Sequence, residues 1–301
     1  MILQTLENES WQVGVLPETG ASTAFGRVRR GDQWIDVMRP TAASDYGNSS
    51  LCASFIMLPW ANRLRDAKFQ FEGKTYQLQP SSNDGTAIHG TVRRLAWQVA
   101  SEDKTRLVTT FDSSSYEKDK INFPFKFSAR AEFWLDGLDF HMNVTLKNDD
   151  SQPFPAGFGH HPYFVRDAEN KVQVQLFCEE RFDLVDLMAA APPVPIRPEA
   201  DFRALKPLGT KDFGDLFTQR TSETAARIVY PNAAVSIHAD PLFQNVLLYA
   251  PEGQPFFAIE PQTNVNDGFN LLDQGIKGSG VFILQPGDSK SGLVTLRVEA
   301  S

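Results

Sequence analysis

Five histidines occur in the 301 residues, and two of them stand side by side in GFGHHPYFV, residues 157–165. An imidazole titrates near pH 6.5, so a histidine presented at a strand end can give and recover a proton at physiological pH. Adjacent residues of an extended chain point to opposite faces, and Pro162 holds His161 in β or polyproline geometry. The pair therefore supplies one ring to each face, and only one of the two, His160 or His161, is expected to enter a site. Further along, the apolar run FFAI leads directly into Glu260, and Pro261 then removes a backbone donor and is expected to end regular pairing there. A carboxyl in that position is costly unless it is paired or used. Pairing with a structural arginine and service as a general base are both open. Apolar neighbours such as Phe257 would raise its pKa into the range where it accepts a hydroxyl proton near neutrality.

These residues belong to four polar clusters that interrupt the strand patterns: PWANRLRD (59–66), NDGTAIHG (83–90), GHHPYF (159–164) and AIEPQTNVNDGFN (258–270). Each falls at a strand end or turn, where a rigid sheet presents side chains. Arg63 and His89 come from the first two, His89 being either a turn residue or a second proton donor. The histidine spacings lack the His-x-His and His-x-x-x-His forms that preorganise two metal ligands on one element, so acid–base use ranks above a catalytic metal. There is no Gly-x-Ser-x-Gly elbow for a serine hydrolase and no glycine-rich phosphate loop. A glycosidase calls for two spaced carboxyls, and Glu260 alone stands out.

The elements that must position these groups are strands. Phe125, Phe127, Ala129, Ala131, Phe133 and Leu135 alternate with mostly polar neighbours, Asp136-Gly137 turns, and Leu138, Phe140, Met142, Val144 and Leu146 alternate back. Similar patterns occupy 68–78 around Glu72-Gly73, 171–177, 245–260 around Pro251-Glu252-Gly253, and 280–299 as two strands around a Pro-Gly turn. Helical periodicity is nearly absent, and no fixed-length repeat suggests a propeller or solenoid. The expectation is all-β: a large antiparallel β-sandwich forming a single domain over residues 1–301, with the proline-rich stretch 188–214 as an excursion of that domain over a binding face.

Composition narrows the partners. A net charge of -8 repels phosphate backbones, and the basic runs at 27–30 and at Arg93-Arg94 are short, so nucleic acid is not expected. The N-terminus lacks a basic segment followed by a long apolar core, and no run reaches the ~20 apolar residues of a membrane span. A cytoplasmic protein with no membrane association is expected. Cys52 and Cys178 lie far apart without CxxC spacing, which reads as two buried free thiols. A neutral small molecule suits this balance best.

The ordered set NR, IHG, HPYF and EPQT on a β-rich chain resembles the aldose 1-epimerase (galactose mutarotase) family, with motifs spread from Pro59 to Asn270. The resemblance implies a β-sandwich with an open sugar-binding cleft, no cofactor, and interconversion of the α and β anomers of a free aldose. It implies His161 as the acid that protonates the ring oxygen and Glu260 as the base at the C1 hydroxyl. His89 is implied as a second histidine at the ring oxygen or a neighbouring hydroxyl, and Arg63 as the arginine that binds sugar hydroxyls and orients the carboxylate. For the family's sugar-gripping aspartate the nearest match is Asp215 in KDFGDLF, with Gly214 as the competing position. Trp60, Phe257 and Phe269 lie beside these motifs, either as sugar-stacking planes or as core. Two other readings stay open: a hexose-phosphate or modified-sugar mutarotase, for which Arg65, Arg93 and Arg94 would have to converge on the substituent, and a non-catalytic carbohydrate-binding sandwich.

Overall fold

In the computed structural model, which describes residues 1–166, 169 and 171–299, nearly all regular structure is β. Period-two alternation becomes pleated pairing where the apolar rows are longest. Phe127–Asp136 and Asp139–Asn148 pair in unbroken register, and Phe127, Ala131, Phe133, Phe140, Met142, Val144 and Leu146 are all buried on one side. Each large side chain buried in this way contributes about 1.5–3 kcal/mol, so the row fixes the register: a slip by one residue would expose all of it. Gly137 takes the positive φ that the tight turn requires.

This hairpin lies in a nine-stranded sheet with the order Gln98–Glu102, Arg106–Asp112, Phe127–Asp136, Asp139–Asn148, Ser289–Val298, Ala234–Ala239, Thr224–Val229, Gln173–Leu176 and Lys206–Pro207. An eight-stranded sheet runs Val194–Pro195, Cys178–Phe182, Phe213–Arg220, Asn245–Ala250, Phe256–Gln262, Gly159–His160 and Ile56–Met57, with Tyr163–Val165 also pairing with Phe256–Gln262. A four-stranded sheet is formed by Gln4–Glu7, Trp11–Leu16, Ser22–Arg30 and Gln33–Asp36. The strands within each sheet pair antiparallel, and apolar rows from all three sheets join one cluster that extends from Leu6 to Val298. The chain is a large antiparallel β-sandwich.

Two local expectations are corrected. Residues 280–299 do not fold back on themselves: Phe282–Leu284 pairs with Phe154–Ala156, while both edges of Ser289–Val298 are taken by Asp139–Asn148 and Ala234–Ala239. Alternation located the two strands, but non-local partners outcompeted the hairpin. Nor does pairing stop at Pro261, because Phe256–Gln262 runs two residues past Glu260 with Pro261 opposite Val246. A proline removes one ladder donor, and neighbours on both sides hold the strand regardless. The excursion 188–214 carries short strands of its own, of which Val194–Pro195 and Lys206–Pro207 each extend one large sheet. Cys52 and Cys178 are buried and unbridged. Among the described residues no helix is long and apolar enough to cross a membrane.

Asn264 ties the loop before Arg63 to the central strand region. Its Oδ1 accepts from Ala61 N–H at 2.9 Å, and its Nδ2 donates to Ala61 O at 2.9 Å. A Cβ on Gly157 would lie 2.1 Å from that Oδ1, whereas one on Gly214 would meet no atom within 4 Å. Gly157→Ala is therefore expected to cost about 1–3 kcal/mol in urea denaturation through overpacking. Gly214→Ala, at an ordinary φ, is expected to be neutral or stabilising by up to about 1 kcal/mol.

Candidate active site

Phe256–Gln262 delivers Glu260 to one face of the eight-stranded sheet, and its register defines what stands beside it. Leu247 lies opposite Glu260, and Tyr249 lies opposite both Ala258 and Gly214. These residues share a face, and Glu260, Leu247, Tyr249 and Gly214, together with Asn62, Arg63, His89, His161, Tyr163, Leu184, Leu187, Asp212 and Asn266, border an open cavity of about 370 Å³. That size suits a small ligand. Two larger concavities elsewhere have no histidine on their walls, and their acidic side chains are exposed.

The histidine pair divides as strand alternation requires. His160 points into the apolar cluster beside Phe243, while His161 enters the cavity, where its Nε2 lies 3.0 Å from Oε1 of Glu260. Both members of that pair are buried, Glu260 at 1% exposure and His161 at 5%. Burial pushes the Glu260 carboxyl well above the ordinary carboxylate range, with the Arg63 charge offsetting part of the rise. Burial likewise drives the His161 imidazole well below 6.5, and the charges of Arg93 and Arg39 add to that. Among the described residues, Oε2 of Glu260 and Nδ1 of His161 have no hydrogen-bond partner.

His89 is held by an unusual local backbone. Asn62, His89 and Gly90 all have positive φ, and a Cβ at Gly90 would collide with Leu58 O at 1.9 Å, so only glycine fits there. A left-handed histidine costs about 1 kcal/mol, which reciprocal bonds offset: His89 N–H donates to Asn62 O at 2.9 Å, and Asn62 N–H donates to His89 Nδ1 at 3.2 Å. With Nδ1 accepting, the ring proton sits on Nε2. Burial, then the charges of His161 and Arg93, drive its pKa well below 6.5, so His89 is a neutral N–H donor. Arg63 is oriented by Asp84, whose Oδ2 accepts from Nε at 2.9 Å. Burial alone would raise the Asp84 pKa, but hydrogen bonds from Thr86 and Arg63 outweigh it and hold the carboxylate ionised.

The structure thus gathers Glu260, His161, His89 and Arg63 around one cavity. Asp215 is placed elsewhere: it lies opposite Leu248, on the other face from Gly214, and its Oδ2 accepts from Arg197 at 2.8 Å. The strand register assigns the cavity face to Gly214, and Asp212 is the carboxylate from that segment on the cavity wall. Trp60, Phe257 and Phe269 are core residues, each at most 1% exposed. The aromatic lining is instead Tyr163, Phe213 and Tyr249. Tyr163 was readable as the residue two beyond His161, but Tyr249 depended on knowing which strand neighbours Glu260.

An antiparallel sandwich with a buried carboxyl–imidazole pair in an open, polar-walled cavity defines a class of acid–base site. The chain belongs to the aldose 1-epimerase family, whose model matches residues 4–297. It is similar to the uncharacterized protein YphB of Escherichia coli K12, at 25% identity over 99% of each chain. It is also similar to the aldose 1-epimerase of that organism, at 25% identity over 56% of this chain and 48% of the other. A galactose mutarotase-like protein from Clostridium acetobutylicum shares the fold, with a TM-score of 0.85 at 16% identity, covering 99% of this chain and 95% of its own.

The pKa directions set the acid and alkaline behaviour of the fold. Burial lowers His160 to about 4, so the folded form binds its proton less tightly than the unfolded form. The associated stability is fully present above pH 6.5 and is lost as pH falls toward 4, about 3 kcal/mol in all. His160→Gln is expected to flatten that part of the unfolding free energy measured by urea titration between pH 6.5 and 4. Glu260 acts in the opposite sense: its raised pKa makes stability fall as pH rises above 4.5. Glu260→Gln is expected to be at least as stable as the native protein at pH 8 by the same titration.

Proposed function

We propose that the protein is a mutarotase that interconverts the α and β anomers of a free aldose. The observation that carries this reading is the 3.0 Å contact between His161 Nε2 and Glu260 Oε1, buried and open to a sugar-sized cavity. The ion-paired form, with His161 protonated and Glu260 ionised, differs from the neutral form by the position of one proton across that contact. In the ion-paired form Glu260 takes the O1 proton while His161 protonates O5, the C1–O5 bond breaks, and an aldehyde forms at C1. The catalytic pair is then neutral. After rotation about C1–C2, O5 attacks the other face of the aldehyde, Glu260 returns its proton to O1, and His161 recovers the O5 proton. No electrons are transferred and the proton count closes, so the scheme draws on no cofactor.

His89 supplies a neutral N–H to the ring oxygen or an adjacent hydroxyl, and Arg63 binds hydroxyls while its charge favours ionised Glu260. Tyr163 and Tyr249 offer apolar surface for sugar C–H groups. A hexose phosphate is less well served. Arg63 is the cavity wall's single Lys or Arg among the described residues and is already engaged by Asp84, while Asp212 and Glu260 are acidic. Arg65 pairs with Asp267, Arg93 binds Ser49 and Ser50, and Arg94 binds Ser81. Pure carbohydrate binding needs hydroxyl partners but no buried proton-sharing pair, which favours catalysis over a binding module.

Freshly dissolved α-glucose and α-galactose, followed by polarimetry or saturation-transfer NMR, provide the test. The protein is expected to speed anomer equilibration of at least one sugar, with Glu260→Gln and His161→Ala each reducing kcat/KM by about 10²–10⁴-fold. Near-normal rates in both variants would overturn the assignment of this pair.

A further inference from the structure

Two buried or half-buried arginines stand close to His161 without any carboxylate to neutralise them. Among the described residues neither Arg39 nor Arg93 forms an ion pair with an acidic side chain. Such charges are costly to bury, so their placement calls for a physical account.

That account lies in the rings around His161. The imidazole packs against Phe55, with centroids 4.5 Å apart, and against Tyr163 at 4.4 Å. Each of these rings is itself covered by a guanidinium: the Arg39 Cζ is 3.8 Å from the Tyr163 centroid, and the Arg93 Cζ is 5.0 Å from that of Phe55. Cation–π attraction is strongest when the cation is desolvated. Arg93 is 4% exposed. The two arginines come from distant parts of the sequence but converge on the short turn Ser49–Leu51. Arg39 donates to Ser50 O at 2.9 Å and also to Cys52 O, while Arg93 donates to the hydroxyls of Ser49 at 3.3 Å and Ser50 at 2.8 Å. Arg39 N–H also donates to Tyr163 O at 2.9 Å. These neutral acceptors fix both guanidiniums without cancelling their charge.

We propose that Arg39 and Arg93 are positioning residues for His161: through Tyr163 and Phe55 they hold the imidazole toward Glu260, and their uncancelled charges oppose a second proton on it. The proposal rests on His161 being the proton carrier of the mutarotase reading. The other groups facing the imidazole are Glu260 at 3.0 Å, His89 with its ring centroid 5.2 Å away, and the cavity-wall groups Arg63, Asp212, Tyr163 and Tyr249. Of these, His89 is neutral, Glu260 favours the imidazolium only when ionised, Asp212 is an acid and Arg63 a cation held by Asp84. Burial is the largest cause of the lowered His161 pKa, followed by Arg93, with Arg39 also lowering it. The ring contacts place both guanidinium carbons within about 10 Å of the imidazole. At that range Coulomb's law gives each charge a shift of about 0.4–1.5 pH units, depending on local screening.

The test is an NMR titration of the His161 ring in the free protein, with His141 and His238 on the nine-stranded sheet as internal references. Arg39→Met and Arg93→Met should each raise the His161 midpoint by about 0.4–1.5 pH units and leave the reference rings unmoved. Arg39→Lys and Arg93→Lys, which keep the charge but lose the planar group, should stay closer to the native midpoint than the Met variants. Gln at either position gives the same readout if Met is not tolerated, because it retains a donor for the Ser49–Cys52 acceptors. A folded Met or Gln variant with an unmoved His161 titration overturns the proposal, as does a Lys variant that shifts as far as its Met counterpart. The pH profile of kcat/KM should move with the NMR midpoint. Failure of mutarotase activity in the native protein would defeat the functional reading while the ring titration still decided the role of the two arginines.

Discussion

A carboxyl group that is 1% exposed, 3.0 Å from an imidazole that is 5% exposed, is the feature around which the rest of the site must be organised. Removing two ionisable groups from water costs several kcal/mol per ion when both are charged, and good geometry only partly offsets this. Sharing protons as a neutral pair avoids much of that cost while keeping the ionic form one proton transfer away. The same property makes the arrangement useful: burial raises the acid's pKa and lowers the base's, which removes the usual preference for the ion pair and lets the proton pass either way across the contact.

The sandwich supplies the rigidity that such a pair demands. Phe256–Gln262 is flanked by Asn245–Ala250 on one side and by Gly159–His160 and Tyr163–Val165 on the other, so the strand carrying Glu260 and the segment carrying His161 are hydrogen-bonded neighbours. Their relative position follows from backbone register rather than from loop conformation. The loops add the variable parts. Asn62 and His89 lock each other through reciprocal hydrogen bonds, Asp84 orients Arg63, and the hairpin of Leu184–Val185 and Met188–Ala189 brings Leu184 and Leu187 to the cavity wall.

Much of this was legible in the sequence for identifiable physical reasons. The hairpin of Phe127–Asp136 and Asp139–Asn148 could be read because its partners are adjacent and its apolar rows are long. The partners of Ser289–Val298 could not, because its pairings with residues 139–148 and 234–239 span long stretches of chain and alternation does not encode which edge is free. That His160 and His161 face opposite ways followed from the period of two, whereas the choice of His161 for the site came from its place before Pro-Tyr-Phe in the family motif. Asp215 illustrates the limit of the same rule: alternation establishes that it and Gly214 face opposite ways, but not which of them faces the cavity until Tyr249 and Leu248 are set opposite them. Asn266, Leu187 and Asp212 come to the cavity wall through tertiary packing and have no local sequence signal of comparable strength.

The central claim is that burial, rather than ion pairing, governs the protonation of the Glu260–His161 pair. Infrared titration of the free protein, with Glu260→Gln subtracted to isolate the single carboxyl, tests this most directly. The account predicts that the protonated carboxyl band of Glu260 persists well above pH 4.5 and gives way to carboxylate only at higher pH. A carboxylate already formed at or below pH 4.5 would contradict it, and would mean that the pair rests as a stable ion pair held by Arg63 and an imidazolium.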